Sequence, residues 1–241
     1  MKKILVISEN VGLCKFLEQL RKDLNLISKC RFDFRYTSYN ENPKLMLKFG
    51  AREINVKDKK IIDFIIQNYD LVFSMHCKQV FPRYLISKIS CFNFHPGYNP
   101  HNRGWYPQVF SLINSLPVGA TIHLMDEQID HGSIIAQKKV NISPKDTSLE
   151  VYNNVIKAEK EIIRENLVSI IENTYTSINP SEEGNYNGID DYLKVCKLNL
   201  NSVDTLESHI NLLKALSHGD FKNAYFEKEG KKYFVKIVIS D

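Results

Sequence analysis

The chain has 241 residues, of which 43% are hydrophobic and 25% are charged. This composition is close to the average of globular proteins and excludes a disordered tail or a coiled coil. The net charge is only +4, and residues 181–241 hold 8 Lys and Arg against 10 Asp and Glu. The C-terminal quarter therefore lacks the basic character of a nucleic-acid-binding arm. No apolar run approaches the roughly 20 residues of a membrane span.

The cysteines are five in number, widely spaced and without a C-x-x-C motif. An odd, scattered set is typical of reduced thiols. We therefore expect a cytoplasmic protein.

Short apolar runs alternate with helical patterns over residues 4–94. The runs 4–7, 71–75 and 91–94 are typical of buried strands, and 31–36 is typical of a half-exposed strand. Helical patterns lie between them, over residues 13–20, after Asp58 and from Pro82 to Ile89. This alternation predicts an α/β fold, a doubly wound and mostly parallel sheet with helices on both faces. Ligands bind such sheets beyond the carboxyl ends of the strands.

The pattern changes after residue 117. Residues 118–124 and 134–142 indicate two strands, and the capping box Thr147–Glu150 opens a helix that extends to about Asn173. Residues 178–190 resemble a linker. A helix near 204–216 and a hairpin with strands 224–226 and 233–239 follow. We predict one domain over residues 1–178 and a small C-terminal helix and hairpin over 179–241.

Asn93-Phe94-His95-Pro96 lies where a predicted buried strand ends. Alternate side chains of a strand share a face, so Asn93 and His95 project together at the ligand-binding edge. A second motif, over residues 123–137, contains two Asp residues four apart, Asp126 and Asp130, followed by a glycine and a strand. Either motif alone fits polar groups that only stabilise a turn. Together, in this order, they indicate a catalytic site.

The two motifs resemble those of the 10-formyltetrahydrofolate-dependent formyltransferases, over roughly residues 1–175. The resemblance implies a catalytic set of Asn93, His95 and Asp130. It also implies that 10-formyltetrahydrofolate binds at residues 75–82, and it assigns this cosubstrate to Met75, Cys77, Lys78, Gln79, Val80 and Asp126. The backbone around Lys78–Val80 would pair with the pterin ring.

The residue types suit attack of an amine on a formyl carbon. The amide of Asn93 can donate to the formyl oxygen as negative charge develops there. His95 can take the amine proton, or stabilise the oxyanion if it is charged. Asp130 can hold the imidazole and favour its protonated form. The sequence leaves open which form of His95 acts.

Three branches of the family differ in the amine that they formylate. Glycinamide ribonucleotide formyltransferases carry a glycine-rich phosphate loop after the first strand, which residues 8–12 lack. Methionyl-tRNA formyltransferases add a basic C-terminal barrel, which the acidic C-terminal quarter opposes. Residues 102–108 and 216–226 resemble the third branch, the dTDP-4-amino-4,6-dideoxyglucose N-formyltransferases. This branch implies a nucleotide-linked amino sugar as substrate and a role in O-antigen synthesis.

A nucleotide diphosphate requires a cation and an aromatic face. The candidate substrate-binding residues are Asn10, Lys78, Arg103, Trp105, Tyr106 and Tyr225. Trp105 and Tyr106 fit core packing beneath the rim of the site as well as they fit substrate binding. For Tyr225, a core or dimer contact is favoured over stacking on a base. The apolar end of the hairpin, an edge that needs covering, predicts a homodimer.

We expect no metal, because the histidines and cysteines have no H-x-x-x-H or C-x-x-C spacing. Two alternative functions stay open. One is a 10-formyltetrahydrofolate hydrolase, in which water replaces the amine. The other is a non-catalytic module that binds nucleotide sugars.

Overall fold

The computed structural model describes residues 1–240, and a seven-stranded sheet organises their first two thirds. Its strand order is β3-β2-β1-β4-β5-β7-β8. The strands are β1 (Lys2–Ser8), β2 (Cys30–Tyr36), β3 (Arg52–Glu53), β4 (Leu71–Met75), β5 (Cys91–His95), β7 (Val118–Leu124) and β8 (Ile134–Val140). Adjacent strands from β3 to β5 are parallel, and β5 pairs with β7 in antiparallel register. The expectation of a mostly parallel α/β sheet is confirmed.

Eight helices accompany the strands among the described residues. They are α1 (Val11–Asp23), α2 (Pro43–Phe49), α3 (Lys59–Asn68), α4 (Arg83–Ile86), α5 (Pro107–Asn114), α6 (Ser148–Glu172), α7 (Ile189–Cys196) and α8 (Leu206–Leu216). Within this part of the chain, no helix combines the length and the apolar character needed to cross a membrane.

Burial explains why β1 and β4 form the centre of the sheet. Leu5 and Ile7 pack with Ile62 and Ile65 of α3 on one face. Ile4 and Val6 alternate with them, point to the other face, and are also fully buried. Strands covered on both faces read as continuous apolar runs, as the sequence predicts here.

Helix starts follow local capping chemistry. The Asp58 side chain accepts a hydrogen bond from Lys60 N, which confirms the predicted N-cap of α3. At α6, the Glu150 carboxylate accepts from Thr147 N at 2.9 Å, as in a capping box. Pro82 is the N-cap of α4 and lies outside its first turn, and α4 ends at Ile86, short of the predicted Ile89.

The predicted linker over residues 178–190 is more ordered than expected. It contains β9 (Tyr186–Asn187), which pairs in parallel with β6 (Arg103–Gly104), and α7 begins within it at Ile189. The C-terminal hairpin consists of β10 (Tyr225–Lys228) and β11 (Lys231–Phe234). The prediction of a strand that continues to residue 239 is wrong: β11 ends at Phe234, after the four cross-strand pairs that the short β10 can offer.

The chain divides into two compact units. The first comprises Met1–His95, Thr121–Gln137 and Glu159–Ser181, and the second comprises Pro96–Ala120, Lys138–Ala158 and the described residues from Glu182 onward. The predicted domain boundary at residue 178 stays a prediction.

Candidate active site

Strand β5 positions the first two candidate catalytic residues. Asn93 and His95 are two residues apart and share a face of the sheet. The strand lies between β4 and β7, where Met75 pairs with Phe94 and Thr121 pairs with His95. His95 is buried with 4% of its surface exposed. The predicted pair is therefore fixed by a central strand at its carboxyl end.

Asp130 lies in the turn between β7 and β8, and its backbone is left-handed with a φ of 51°. A non-glycine residue in this region costs about 1–3 kcal/mol and is held only by its surroundings. Gly132 supplies part of that hold, because a Cβ there would lie 1.9 Å from the carbonyl oxygen of Leu124. The close approach of these backbones aims the Asp130 carboxylate at β5.

The three predicted catalytic side chains come together in the first unit. Nδ2 of Asn93 donates to Oδ1 of Asp130 at 2.7 Å. Nδ1 of His95 lies 3.5 Å from Oδ2 of the same carboxylate. Their roles in catalysis stay a prediction, but one carboxylate organises both an amide donor and an imidazole.

Burial determines the charge of His95. Desolvation lowers the pKa of His95 to about 4, and the nearby charge of Asp130 only partly opposes this shift. His123 and His76 lower the pKa of His95 further. The imidazole is thus neutral near pH 7. Its Nε2 atom is buried and has no hydrogen-bond partner among the described residues, so it can accept a proton from a ligand.

His123 joins the cluster from β7. Its Nδ1 lies 2.7 Å from the carbonyl oxygen of Leu124, which can only accept, so Nδ1 carries a proton. Its Nε2 then faces Oδ1 of Asp130 at 3.5 Å. The sequence motif includes His123, and the structure shows that it contacts the same carboxylate as Asn93 and His95.

The candidate folate loop begins where β4 ends, at the fully buried Met75. The side chain of Gln79 is engaged within the fold, since Oε1 accepts from Val56 N at 3.0 Å and Nε2 donates to Asn55 Oδ1 at 3.2 Å. Desolvation raises the pKa of Cys77 to about 12, so this thiol is uncharged near neutral pH. These contacts hold the Gln79 side chain within the fold, and pairing of the loop backbone with the pterin ring stays a prediction.

The other candidate cofactor residues differ in environment. Lys78 forms an ion pair with Glu41 at 2.6 Å, and Val80 is exposed. Asp126 accepts from Gln128 N at 3.0 Å and contacts His131 Nδ1 at 2.6 Å. Asp126 thus stabilises the turn that carries Asp130, and its predicted contact with folate stays a prediction.

Asn10 is the N-cap of α1, and its Oδ1 accepts from Leu13 N at 3.1 Å. This bond satisfies one of the N–H groups that a helix start leaves unpaired. Capping is thus the role that the structure shows for Asn10, and sugar-nucleotide contact stays a prediction.

The remaining candidate substrate residues belong to the second unit. The Arg103 guanidinium is nearly buried and lies 2.9 Å from Glu183 Oε1. The Tyr106 ring lies 4.1 Å from that of Tyr192 and 5.8 Å from that of Trp105. Nζ of Lys232 lies 3.8 Å from the ring centroid of Tyr225. Each aromatic candidate already packs on a protein group, and base stacking by any of them stays a prediction.

Within residues 1–240 no group of three or more His, Cys, Asp and Glu side chains is arranged to hold a metal ion.

The sequence analysis missed one polar pair in the first unit. Nε2 of His76 lies 3.0 and 3.1 Å from the two carboxylate oxygens of Glu159, which is fully buried on α6. The burial pattern of α6 contains a signal for this pair. Positions spaced by four residues along α6 are buried and apolar except for this glutamate: Val151, Val155, Glu159, Ile163 and Leu167.

The fold and this Asn-His-Asp cluster define an α/β group-transfer enzyme. Two sequence profiles match the chain: that of the formyl transferase family over residues 34–167, and that of the N-formyltransferase dimerization C-terminal domain over residues 191–241. The chain belongs to the formyl transferase family.

Individual relatives agree with this assignment. A dTDP-4-amino-4,6-dideoxyglucose formyltransferase from Mycobacterium bovis is 46% identical over 176 residues, which cover 73% of this chain and 75% of the relative. The structure of a sugar N-formyltransferase from a Shewanella species superposes with a TM-score of 0.96 at 45% identity, covering 100% of this chain and 98% of that one. A 4-N formyltransferase from Francisella tularensis superposes with a TM-score of 0.91 at 38% identity, covering 100% and 98%.

Proposed function

We propose that this formyltransferase transfers the formyl group of 10-formyltetrahydrofolate to the amine of a nucleotide-linked amino-dideoxy sugar, dTDP-4-amino-4,6-dideoxyglucose. The observation that carries the chemistry is the buried Nε2 of His95, which has no hydrogen-bond partner within residues 1–240, beside the Asn93–Asp130 hydrogen bond. The relative from M. bovis, which is named for this sugar, supports the choice of acceptor.

The formyl-folate supplies the one-carbon group, and the residues of this chain handle the charges and the proton. The amine nitrogen bonds to the formyl carbon, and the carbonyl electron pair moves to oxygen, where the Asn93 amide can donate. The neutral His95 takes the proton that the amine nitrogen loses. Cleavage of the bond between the formyl carbon and N10 then returns that proton to N10, so the products are a formamide and tetrahydrofolate.

The neutral charge of His95 also suits this chemistry. A base must be neutral to accept a proton, and the lowered pKa of about 4 keeps the imidazole neutral near pH 7. The Asp130 carboxylate at 3.5 Å stabilises the imidazolium that forms during the transfer.

Structures of more distant members, under 25% identical, were solved with tetrahydrofolate or 5-N-formyl-tetrahydrofolate.

The proposal includes a homodimer formed through the C-terminal segment, a cytoplasmic location and a product used in bacterial O-antigen synthesis. The match of residues 191–241 to a dimerization domain supports the dimer. The exposed hairpin aromatics Tyr233 and Phe234 supply apolar surface for it.

The test is incubation of the purified protein with 10-formyltetrahydrofolate and a panel of dTDP- and UDP-linked amino sugars. We expect one dTDP-linked 4-amino sugar to gain the mass of one formyl group, with release of tetrahydrofolate. Release of formate without any acceptor, at the rate seen with the acceptor, would instead identify a hydrolase. Binding of the sugar nucleotide without turnover would reduce the chain to a binding module.

A further inference from the structure

The contact between His76 and Glu159 lies beside the catalytic cluster. Strands β4 and β5 are parallel, with Met75 opposite Phe94. The next residues along each strand direction, His76 and His95, therefore leave the sheet side by side at its carboxyl edge. His76 is thus placed, at the end of the neighbouring strand, where it can influence His95.

The Glu159 carboxylate is fully buried, and both of its oxygens lie within 3.1 Å of His76 Nε2. A buried carboxylate is costly unless it faces a cation and accepts hydrogen bonds. The Nε2–H group of His76 donates to this carboxylate. The contact places the ring of His76 beside the catalytic imidazole, whose pKa His76 lowers.

The backbone at His76 is also unusual. Its φ is 58°, in the left-handed region, and the residue is the first after β4 and the second of the candidate folate loop. Such a conformation in a non-glycine residue persists only where neighbouring contacts hold it. The contact with Glu159 ties this turn to the long helix α6.

We propose that His76 and Glu159 are positioning residues of the formyl-transfer site: their contact holds the turn at the start of the folate loop and keeps His76 beside His95. This role rests on the proposed function. Three charged or titratable groups act on His95: Asp130 in the β7–β8 turn, His123 in β7, and His76 at the end of β4. His76 faces Glu159 from α6.

The first experiment measures the pH dependence of kcat/KM for Glu159→Gln and His76→Asn. Gln keeps the shape and an acceptor for His76 but removes the charge. Asn tolerates the left-handed backbone and cannot be protonated. His76→Asn removes a group that lowers the pKa of His95, and Glu159→Gln weakens the contact that keeps this group beside His95. Protonation of His95 becomes easier, so we expect the acidic limb of the profile to move to higher pH in both variants.

A matched control lies on the same helix. Glu172 forms an exposed ion pair with Lys29 at 2.6 Å, so Glu172→Gln removes the same charge without touching the site. Its profile should match that of the wild type. A purely structural role for Glu159 would lower activity equally at every pH and leave the position of the acidic limb unchanged, and that result would overturn the proposal.

The second experiment separates the turn from the effect on His95. His76→Val introduces a β-branched residue that resists a positive φ. We expect its dissociation constant for 5-formyltetrahydrofolate to rise about tenfold, while that of His76→Asn, which loses only the contact with Glu159, rises less. Wild-type binding by both variants would overturn the role in the turn. If His76→Val does not fold, the Asn and Gln variants still test the effect on His95.

Titration of the His95 ring by NMR in the ligand-free protein makes the test independent of activity. A rise in its pKa in Glu159→Gln and His76→Asn supports the proposal even if no sugar on the panel is formylated, in which case only the proposed function fails. An active wild-type enzyme with an unchanged His95 titration in both variants would overturn the positioning role alone.

Discussion

The side-chain amide of Asn93 donates a 2.7 Å hydrogen bond to Oδ1 of Asp130, and this bond is shorter than the 3.5 Å contact between Asp130 and His95. Asp130 therefore orients the amide as well as the imidazole. An amide nitrogen carries two N–H groups, so this bond directs one donor to the carboxylate and sets the direction of the other.

The first prediction concerns the charge of Asp130. Asp130→Asn keeps the left-handed backbone, which Asn tolerates, but removes the negative charge that orients Asn93 and His95. We expect kcat to fall by about 10²–10⁴ with little change in melting temperature. Assays of formyl transfer with thermal denaturation check this. Asp23→Asn, at an exposed residue that bonds to Gln19, serves as the control, and comparable activity in the two variants would contradict the role of Asp130.

The second prediction concerns stability against pH. The pKa of His95 is about 4 in the folded protein and roughly 6.5 in the unfolded chain. Between these values only the unfolded chain takes up the proton, so stability is lost as the pH falls from about 6.5 to about 4. The loss from this residue is on the order of 3 kcal/mol.

Urea denaturation at pH 7 and pH 4.5 measures this loss. His95→Gln cannot titrate, so its free energy of unfolding should decline less over the same interval than that of the wild type. Equal declines would show that His95 is not buried in its neutral form.

The third prediction concerns the turn that holds Asp130. Gly132→Ala places a Cβ 1.9 Å from the carbonyl oxygen of Leu124, so the two strands must separate. We expect a loss of at least about 2 kcal/mol in stability and of most activity. Gly50→Ala is a suitable control because Gly50 also has a positive φ, of 97°, but nothing lies within 4 Å of its Cβ. That variant should lose only about 1–2 kcal/mol and keep its turnover.

The fourth prediction concerns Asn102 in the second unit. This fully buried side chain accepts from the amides of Asn114, Asn185 and Asn187 through Oδ1. Asn102→Ala leaves these donors without their acceptor, at a cost of about 1–3 kcal/mol. We expect faster proteolysis within residues 182–187, read by mass spectrometry of the fragments. Asn201→Ala, at an exposed position, should leave the cleavage rate unchanged.

The parts of the fold that the sequence predicts are those with simple burial patterns. Strands β1, β4 and β5 are covered on both faces and read as apolar runs. Helix α5 escapes prediction because it is short and because Pro107 to Leu112 are all buried, with polar Gln108 and Ser111 among them. Helix α7 follows Gly184 and Gly188, which are typical of loops, and its order depends on the pairing of β9 with β6.

In the candidate site, too, some residues are predictable from local sequence patterns and others are not. Asn93 and His95 are predictable because strand alternation alone places them together, and the motif adds Asp130. The contact of His76 with Glu159 joins residues 83 positions apart in the sequence. No local rule connects them, since the contact depends on where α6 packs in the fold.

Glu159, which contacts His76 beside the candidate site, belongs to a row of buried residues along α6. Val155 and Ile163 lie one turn before and after this carboxylate and are fully buried. An exchange such as Ile163→Val would ordinarily be judged by thermal stability alone. Here a small slide or rotation of the helix also moves the group that holds His76. Substitutions of these buried α6 residues, in nature or in the laboratory, will therefore alter turnover in proteins that still fold normally.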